Sequence, residues 1–184
     1  EDILSTLICP LRNSLQYREA LIASLTDPLT GSGNRLSLDN TLLREMELAK
    51  RHQSPLSLLV IDVDDFKNIN DEFGHKTGDV ALQRIAQQLT IVNRLTDLSF
   101  RYGGEEFVVL LNKTSLSGAT VIGERIRAAI EGTQFKDANK CFKITVSIGA
   151  ASLKPNDNKD RLFQRADKAL YQAKKSGKNI VIGL

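Results

Sequence analysis

The chain is short of several residues and patterns, and each shortage closes off a class of protein. Only two cysteines, Cys9 and Cys141, occur in 184 residues, so no disulfide framework is implied and a reducing compartment is expected. No apolar run approaches the roughly 20 residues that a membrane-spanning helix requires, and no signal peptide is visible. Net charge is only +3, too small to point to nucleic acid; at most it suits an anionic ligand. Three ligand-binding fingerprints are missing as well. "GSGNRL", Gly31 to Leu36, lacks the third glycine of a dinucleotide loop, and no G-x-x-x-x-G-K-[ST] occurs. A helix-loop-helix calcium loop counted from Asp62 fails, because no glycine stands at its sixth position. What remains is an ordinary composition, 41% hydrophobic and 26% charged, large enough for one well-buried core. The chain starts at Glu1 rather than Met, so a piece of a longer protein is expected.

Residues 1–26 differ from the rest. Leu4, Ile8, Leu11, Leu15, Arg18, Ile22 and Leu25 step by four and three alternately, the seam of a coiled coil. Pro10 interrupts it, at about 3 kcal/mol in a helix interior, so the firm part runs from Leu11 to Leu25. The helix either packs on its own domain or pairs with a second chain. Pairing is preferred, because nothing else in the segment looks like core.

From Asp27 to Leu184 the pattern is mixed. "DPLTGSGN" is a turn-rich break, after which Asn34 caps a helix reaching about His52. "PLSLLVIDV" reads as a buried strand, followed by a polar segment to Gly78. A helix from about Asp79 to Arg94 buries Leu82, Ile85, Ala86 and Leu89 at helical spacing. "LSFRY" and "EFVVLL" form a hairpin across Gly103-Gly104. A helix near Leu116–Glu131, a strand "FKITVSIGAAS", a helix near Lys159–Lys174 and a strand "NIVIG" complete the chain. This order predicts an α+β fold. Its antiparallel or mixed central sheet has surrounding helices, packed on one face in a palm-like arrangement, and an N-terminal linker helix precedes it.

"RYGGEEFVVLL" poses the chemical question. Two acids about 4 Å apart repel by about 1 kcal/mol in water and roughly four times that near a protein surface. If both are extended, Glu105 and Glu106 point to opposite faces; one meets a ligand at the turn, where Gly103 and Gly104 let backbone approach closely, and the other supports it. Asp62 ends a buried strand, costly for an acid unless it is paired or bound to metal. Asp62 and Glu105 together offer hard oxygen ligands that suit Mg²⁺ shared with a phosphate. Acids simply meeting solvent at strand ends remain the competing reading at this level.

"DPLTGSGNR", "DVDDFKNINDEFGHKTGD", "RYGGEEF" and "ADKALYQAKKSGKN" resemble, in order, the signatures of the GGDEF domain, the diguanylate cyclase family. The resemblance covers about Asp27 to Leu184 and implies a nucleotidyl cyclase and polymerase-palm fold. It also implies that two GTP are joined into cyclic di-GMP with release of two pyrophosphates. The family's metal ligands match Asp62, Glu105 and the Val63 carbonyl, implying two Mg²⁺ per half-site, with Mn²⁺ equally suited. Glu105 is the candidate to help deprotonate the 3′-hydroxyl, and Glu106 matches the following, supporting acid. Asn70 and Asp79 match the guanine-reading positions: a carboxylate accepts from guanine's N–H donors, and an amide donates to its carbonyl. His75 matches a histidine beside the nucleotide. Lys67, Lys174 and Lys178 are triphosphate candidates, joined by backbone N–H groups around Asp65 and Phe66 if a short helix starts there.

"RLTD" resembles the family's R-x-x-D product-inhibition site, which would comprise Arg94 and Asp97, with Arg125 completing it from a neighbouring molecule. The sequence departs from the family at Ser32 and Gly33, at Lys178, where Arg is common, and in reading "GGEEF". None of these removes a catalytic atom. The implied partners are GTP, cyclic di-GMP, a second copy of the chain and an upstream sensor domain. The catalytic part would be cytoplasmic, whether or not the full-length protein is membrane-anchored. A rival reading keeps the fold but makes it an inactive receptor for cyclic di-GMP or GTP.

Overall fold

The structure is a computed structural model that describes residues 12, 13, 16, 21, 24–137 and 140–184. Of the N-terminal seam expected from Leu4 to Leu25, every position but Leu25 lies outside the described residues. In chain order the elements are α1 (Arg35–His52), β1 (Leu56–Val63), α2 (Phe66–Phe73), α3 (His75–Val92), β2 (Leu98–Gly103) and β3 (Glu106–Asn112). They continue with α4 (Leu116–Glu131), β4 (Phe135–Asp137), β5 (Lys140–Phe142), β6 (Val146–Ser152), α5 (Lys159–Lys175) and β7 (Val181–Gly183). Five strands form one mixed sheet in the order β2-β3-β1-β6-β7, antiparallel except for the β6–β7 pair.

Local chemistry explains the helices. The Asn34 side chain accepts from Ser37 N at 3.0 Å and so satisfies one of the orphan donors of α1. Leu38, Leu42, Met46 and Ala49 then recur at helical spacing and are buried. The helix ends at Gln53 in the left-handed region, with Lys50, Arg51 and His52 in its last turn favouring the negative end of its dipole. Ser115 and Asn158 cap α4 and α5 in the same way.

Helices cover both faces of the sheet, where the sequence had suggested one. Leu59, Ile61, Val63, Phe107, Val109 and Leu111 pack against α2, α3 and α4, whereas Leu58, Val60, Val108 and Leu110 pack against α1 and α5. All eight residues of β1 are buried. A strand without polar alternation is the signature of burial on both faces, and "LSLLVIDV" and "FVVLL" carry it. Two further boundaries move. The helix expected from Asp79 begins at His75, with α2 before it and Gly74, φ 83°, between them. The single strand expected in "FKITVSIGAAS" is split, because Lys140–Phe142 pairs with Phe135–Asp137 as a separate hairpin. That hairpin is held by rings: Phe142 stacks on Phe73 of α2 at 4.5 Å and on Phe135 at 5.7 Å.

Candidate active site

The end of β1 and the β2–β3 turn meet at one edge of the sheet. Asp62 stands opposite Glu106 on β3 and opposite Ser147 on β6. Cross-strand partners share a face, so Asp62 and Glu106 lie on the α5 side. The ladder between β2 and β3 shifts register after Arg101, bringing Gly103 opposite Glu106 and leaving Gly104 and Glu105 as the turn. Gly104 adopts φ 48°, a region open to glycine without strain. The Val63 N–H donates to Glu105 O at 3.4 Å, which ties the turn to the end of β1.

This geometry corrects one expectation. Glu105 is in the turn rather than the strand, so the strict alternation that would separate it from Glu106 does not apply. Both carboxyls are pushed above their ordinary values, first by burial and then by the negative charge of Asp62, and the Lys174 ammonium opposes the rise in each. Asp62 is itself raised, chiefly by burial, with Asp64 adding to the rise and Lys174 and Lys178 working against it. Three acids therefore share one region of negative potential, and Lys174 reaches into it with an ion pair to Asp62 at 2.8 Å.

Among the described residues, no three His, Cys, Asp or Glu side chains are gathered as a metal cage. The available donors are two carboxylates, Asp62 and Glu105, and the Val63 carbonyl. That hard, incomplete oxygen set, with its surplus of negative charge, fits a divalent cation whose other ligands are waters and phosphate oxygens.

The remaining expected residues lie on α2, at the start of α3 and in the loop after α5. Asp65, φ 54°, precedes α2, and its carboxylate pairs with Lys178 Nζ at 2.6 Å. Phe66 opens α2 and is buried, while Lys67 beside it is exposed. Asn70 is half-buried, its Oδ1 against the backbone of Gly78 so closely that a Cβ there would overlap it. Gly78 thereby lets α2 and α3 approach and sets Asn70 beside Asp79, which is exposed, as is His75 at the start of α3.

Arg94 and Asp97 lie at the far end of α3. Their backbones and the Asp97 carboxylate close a tight turn, Arg94 N donating to Asp97 Oδ2 at 3.1 Å and Asp97 N to Arg94 O at 3.0 Å. Arg94 and Arg125 of the same chain, with Lys113, line one surface cleft.

Sequence reasoning gave no role to Arg101 or Asp27. The Arg101 guanidinium donates to Gly104 O through Nε at 3.0 Å and Nη2 at 2.8 Å. Through Nη1 it reaches both oxygens of Asp27 at 3.2 Å. Asp27 also accepts from Thr30 N and Oγ1 at 2.9 and 2.7 Å. The turn bearing Glu105 is thus clamped to the segment that leads in from residue 26.

The family model "Diguanylate cyclase, GGDEF domain" matches residues 24–180. The chain belongs to the GGDEF domain family. This GGDEF domain is 46% identical over 158 residues to diguanylate cyclase DgcP of Pseudomonas aeruginosa, covering 85% of the chain and 23% of that protein. It is 43% identical over 176 residues to the response regulator PleD of Caulobacter vibrioides, covering 94% of the chain and 38% of PleD. The chain thus spans well under half the length of these curated relatives. Among solved structures it is similar to the coiled coil and GGDEF domain of DgcB from Caulobacter crescentus in complex with c-di-GMP. That match has a TM-score of 0.89 and 30% identity and covers 100% of both chains. It is also similar to the diguanylate cyclase SiaD of Pseudomonas aeruginosa in complex with its activator SiaC, with a TM-score of 0.85 and 34% identity over 98% of this chain and 73% of SiaD.

Proposed function

We propose that this GGDEF domain is a diguanylate cyclase that condenses two GTP into cyclic di-GMP and two pyrophosphates. The observation that carries the reading is the Asp62–Glu105–Glu106 group, with Lys174 and Lys178 at its edge. Asp62, Glu105 and the Val63 carbonyl would hold Mg²⁺, or Mn²⁺ in its place, two ions per half-site. When bound, the metal lowers the pKa of the attacking hydroxyl and offsets triphosphate charge. Glu105 takes the 3′-hydroxyl proton. Glu106 supports the turn side of the site. Lys67, Lys174 and Lys178 attract and orient the triphosphate, with the backbone at Asp65 and Phe66 facing it. Asp79 accepts from the guanine N–H edge and Asn70 donates to its carbonyl; adenine would leave the Asp79 carboxylate unpaired. His75 flanks the base, and Gly103 and Gly104 keep the turn open to the nucleotide.

Each domain offers residues for one GTP, so two copies face each other across a homodimer interface. Residues 1–26 serve to bring them together, downstream of a sensor domain, with residues 27–184 on the cytoplasmic side. Arg94, Asp97 and Arg125 form the product-inhibition site. The described residues contain no helix long and apolar enough to cross a membrane. The decisive variant is Glu105→Gln, which preserves size and removes the charge. Synthesis from GTP and Mg²⁺ should fall at least 100-fold while the melting temperature holds or rises, because a raised carboxyl pKa means the charged form opposes folding at neutral pH. Retention of a tenth or more of the activity would refute the assignment.

A further inference from the structure

The loop after α5 carries Lys178 in an unusual backbone. Gly177, Lys178 and Asn179 have φ values of 109°, 62° and 51°, three consecutive residues in the left-handed region. Side chains other than glycine resist that region, and such conformations persist only when the surroundings enforce them.

The surroundings are built for it. Asn179 N donates to Asp64 Oδ2 at 3.0 Å. The Asp64 carboxylate is buried and also accepts from Thr145 Oγ1 at 2.8 Å and Ser147 Oγ at 2.6 Å, so the strand β6 fixes the acid that fixes the loop. From the other side, Arg127 Nη1 of α4 donates to Asn179 Oδ1 at 2.7 Å and Asn179 Nδ2 donates to Glu131 Oε1 at 2.9 Å. Arg127 is held in turn by Glu124 through Nε at 2.8 Å and by Glu131 through Nη1 at 2.7 Å. The middle residue of the loop, gripped on one flank by this network, directs its ammonium to Asp65 beside the β1 acids.

We infer that Asn179 and Arg127 are positioning residues for substrate binding, holding the Gly177–Asn179 loop in the left-handed form that presents Lys178 to the triphosphate. The inference rests on the proposed role of Lys178. It predicts that loosening the loop acts on the affinity for GTP and acts through Lys178, whereas a merely structural contact would act on stability alone.

The test measures KM for GTP and kcat from initial rates of pyrophosphate release for the full chain and four variants. Asn179→Gly suits the left-handed backbone and deletes both side-chain hydrogen bonds. Lys178→Ala deletes the ammonium, and the third variant combines the two. Arg127→Lys keeps the charge and loses the fork. We expect Asn179→Gly and Lys178→Ala each to raise KM about tenfold with kcat within twofold, and the double variant to be no worse than Lys178→Ala. Arg127→Lys should raise KM by at least threefold. If Lys178→Ala raises KM and Asn179→Gly does not, or if their effects multiply in the double variant, the positioning inference is overturned while the role of Lys178 stands. If Lys178→Ala leaves KM unchanged, the role assigned to Lys178 falls, and the inference falls with it.

Discussion

Replacing Arg101 by Ala tests whether its side chain, anchored to Asp27, holds the Glu105 turn. The guanidinium makes two charge-assisted hydrogen bonds to the single Gly104 carbonyl, together contributing about 2 kcal/mol. Its ion pair with Asp27 is mostly sheltered, the two side chains being 16% and 17% exposed, and contributes about 1 kcal/mol more. A loss of about 3 kcal/mol in a domain of this size lowers the melting temperature by about 6–12 °C. The effect on catalysis should exceed the effect on folding. The turn that presents Glu105 loses its side-chain clamp, and a displacement of about 1 Å at a reacting group costs about 100-fold. Burial pushes the Asp27 carboxyl up, but hydrogen bonds from Thr30 and Arg101 outweigh it and hold the group below its ordinary value. A depressed carboxyl stabilises the fold above its unfolded pKa and loses that contribution as pH falls through the folded value. The stability gap between wild type and Arg101→Ala should therefore be full at pH 7 and narrow below about pH 4. Thermal unfolding across pH, paired with cyclic di-GMP formation well below the melting temperature, reads both effects. Melting within about 2 °C of wild type, or synthesis within threefold of it, would refute the clamp.

Three other outcomes follow from the same structure. A Cβ at Gly149 would collide with the backbone of Ala166 and Leu170 where α5 crosses β6, so Gly149→Ala should cost about 2 kcal/mol or more by urea denaturation. Asp157 accepts from Arg165 at 2.8 and 2.6 Å and from Lys154 N at 2.7 Å, and the Arg165 hydrogen bonds hold its pKa down against burial. Asp157→Asn should cost about 3 kcal/mol at pH 7, and the difference should fade as pH drops below about 4, where wild type also loses the charge. Arg94→Ala should raise the cyclic di-GMP concentration for half-inhibition about tenfold, equivalent to about 1.4 kcal/mol of lost binding, with the uninhibited rate unchanged. Equal inhibition would exclude that cleft.

The acid at the end of β1 and the hairpin turn were legible because each is written in contiguous residues: an apolar run closed by Asp62, and two glycines between strands. The cap at Asn34 and the core face of α3 were legible for the same reason. What local pattern could not show was fixed over long separations. Arg101 finds Asp27 across 74 positions, and nothing in "RYGG" names its partner. The β4–β5 hairpin depends on Phe142 meeting Phe73, a contact that exists only after α2 has formed. The misjudged helix layers had a readable cue, the absence of polar alternation in β1 and β3, which carries more weight than element order. Glu105 was misplaced because the bulge after Arg101 moved it out of the strand, and a one-residue shift of register reverses every facing.

The central claim is that the carboxylates at the end of β1 and in the Gly103-Gly104 turn join two guanosine triphosphates. Its most direct test is to incubate the chain with GTP and Mg²⁺ and determine the product by mass, with pyrophosphate counted alongside. Cyclic di-GMP with two pyrophosphates for each molecule formed is the expected result. A cyclic mononucleotide, or bound nucleotide that is never converted, would contradict it.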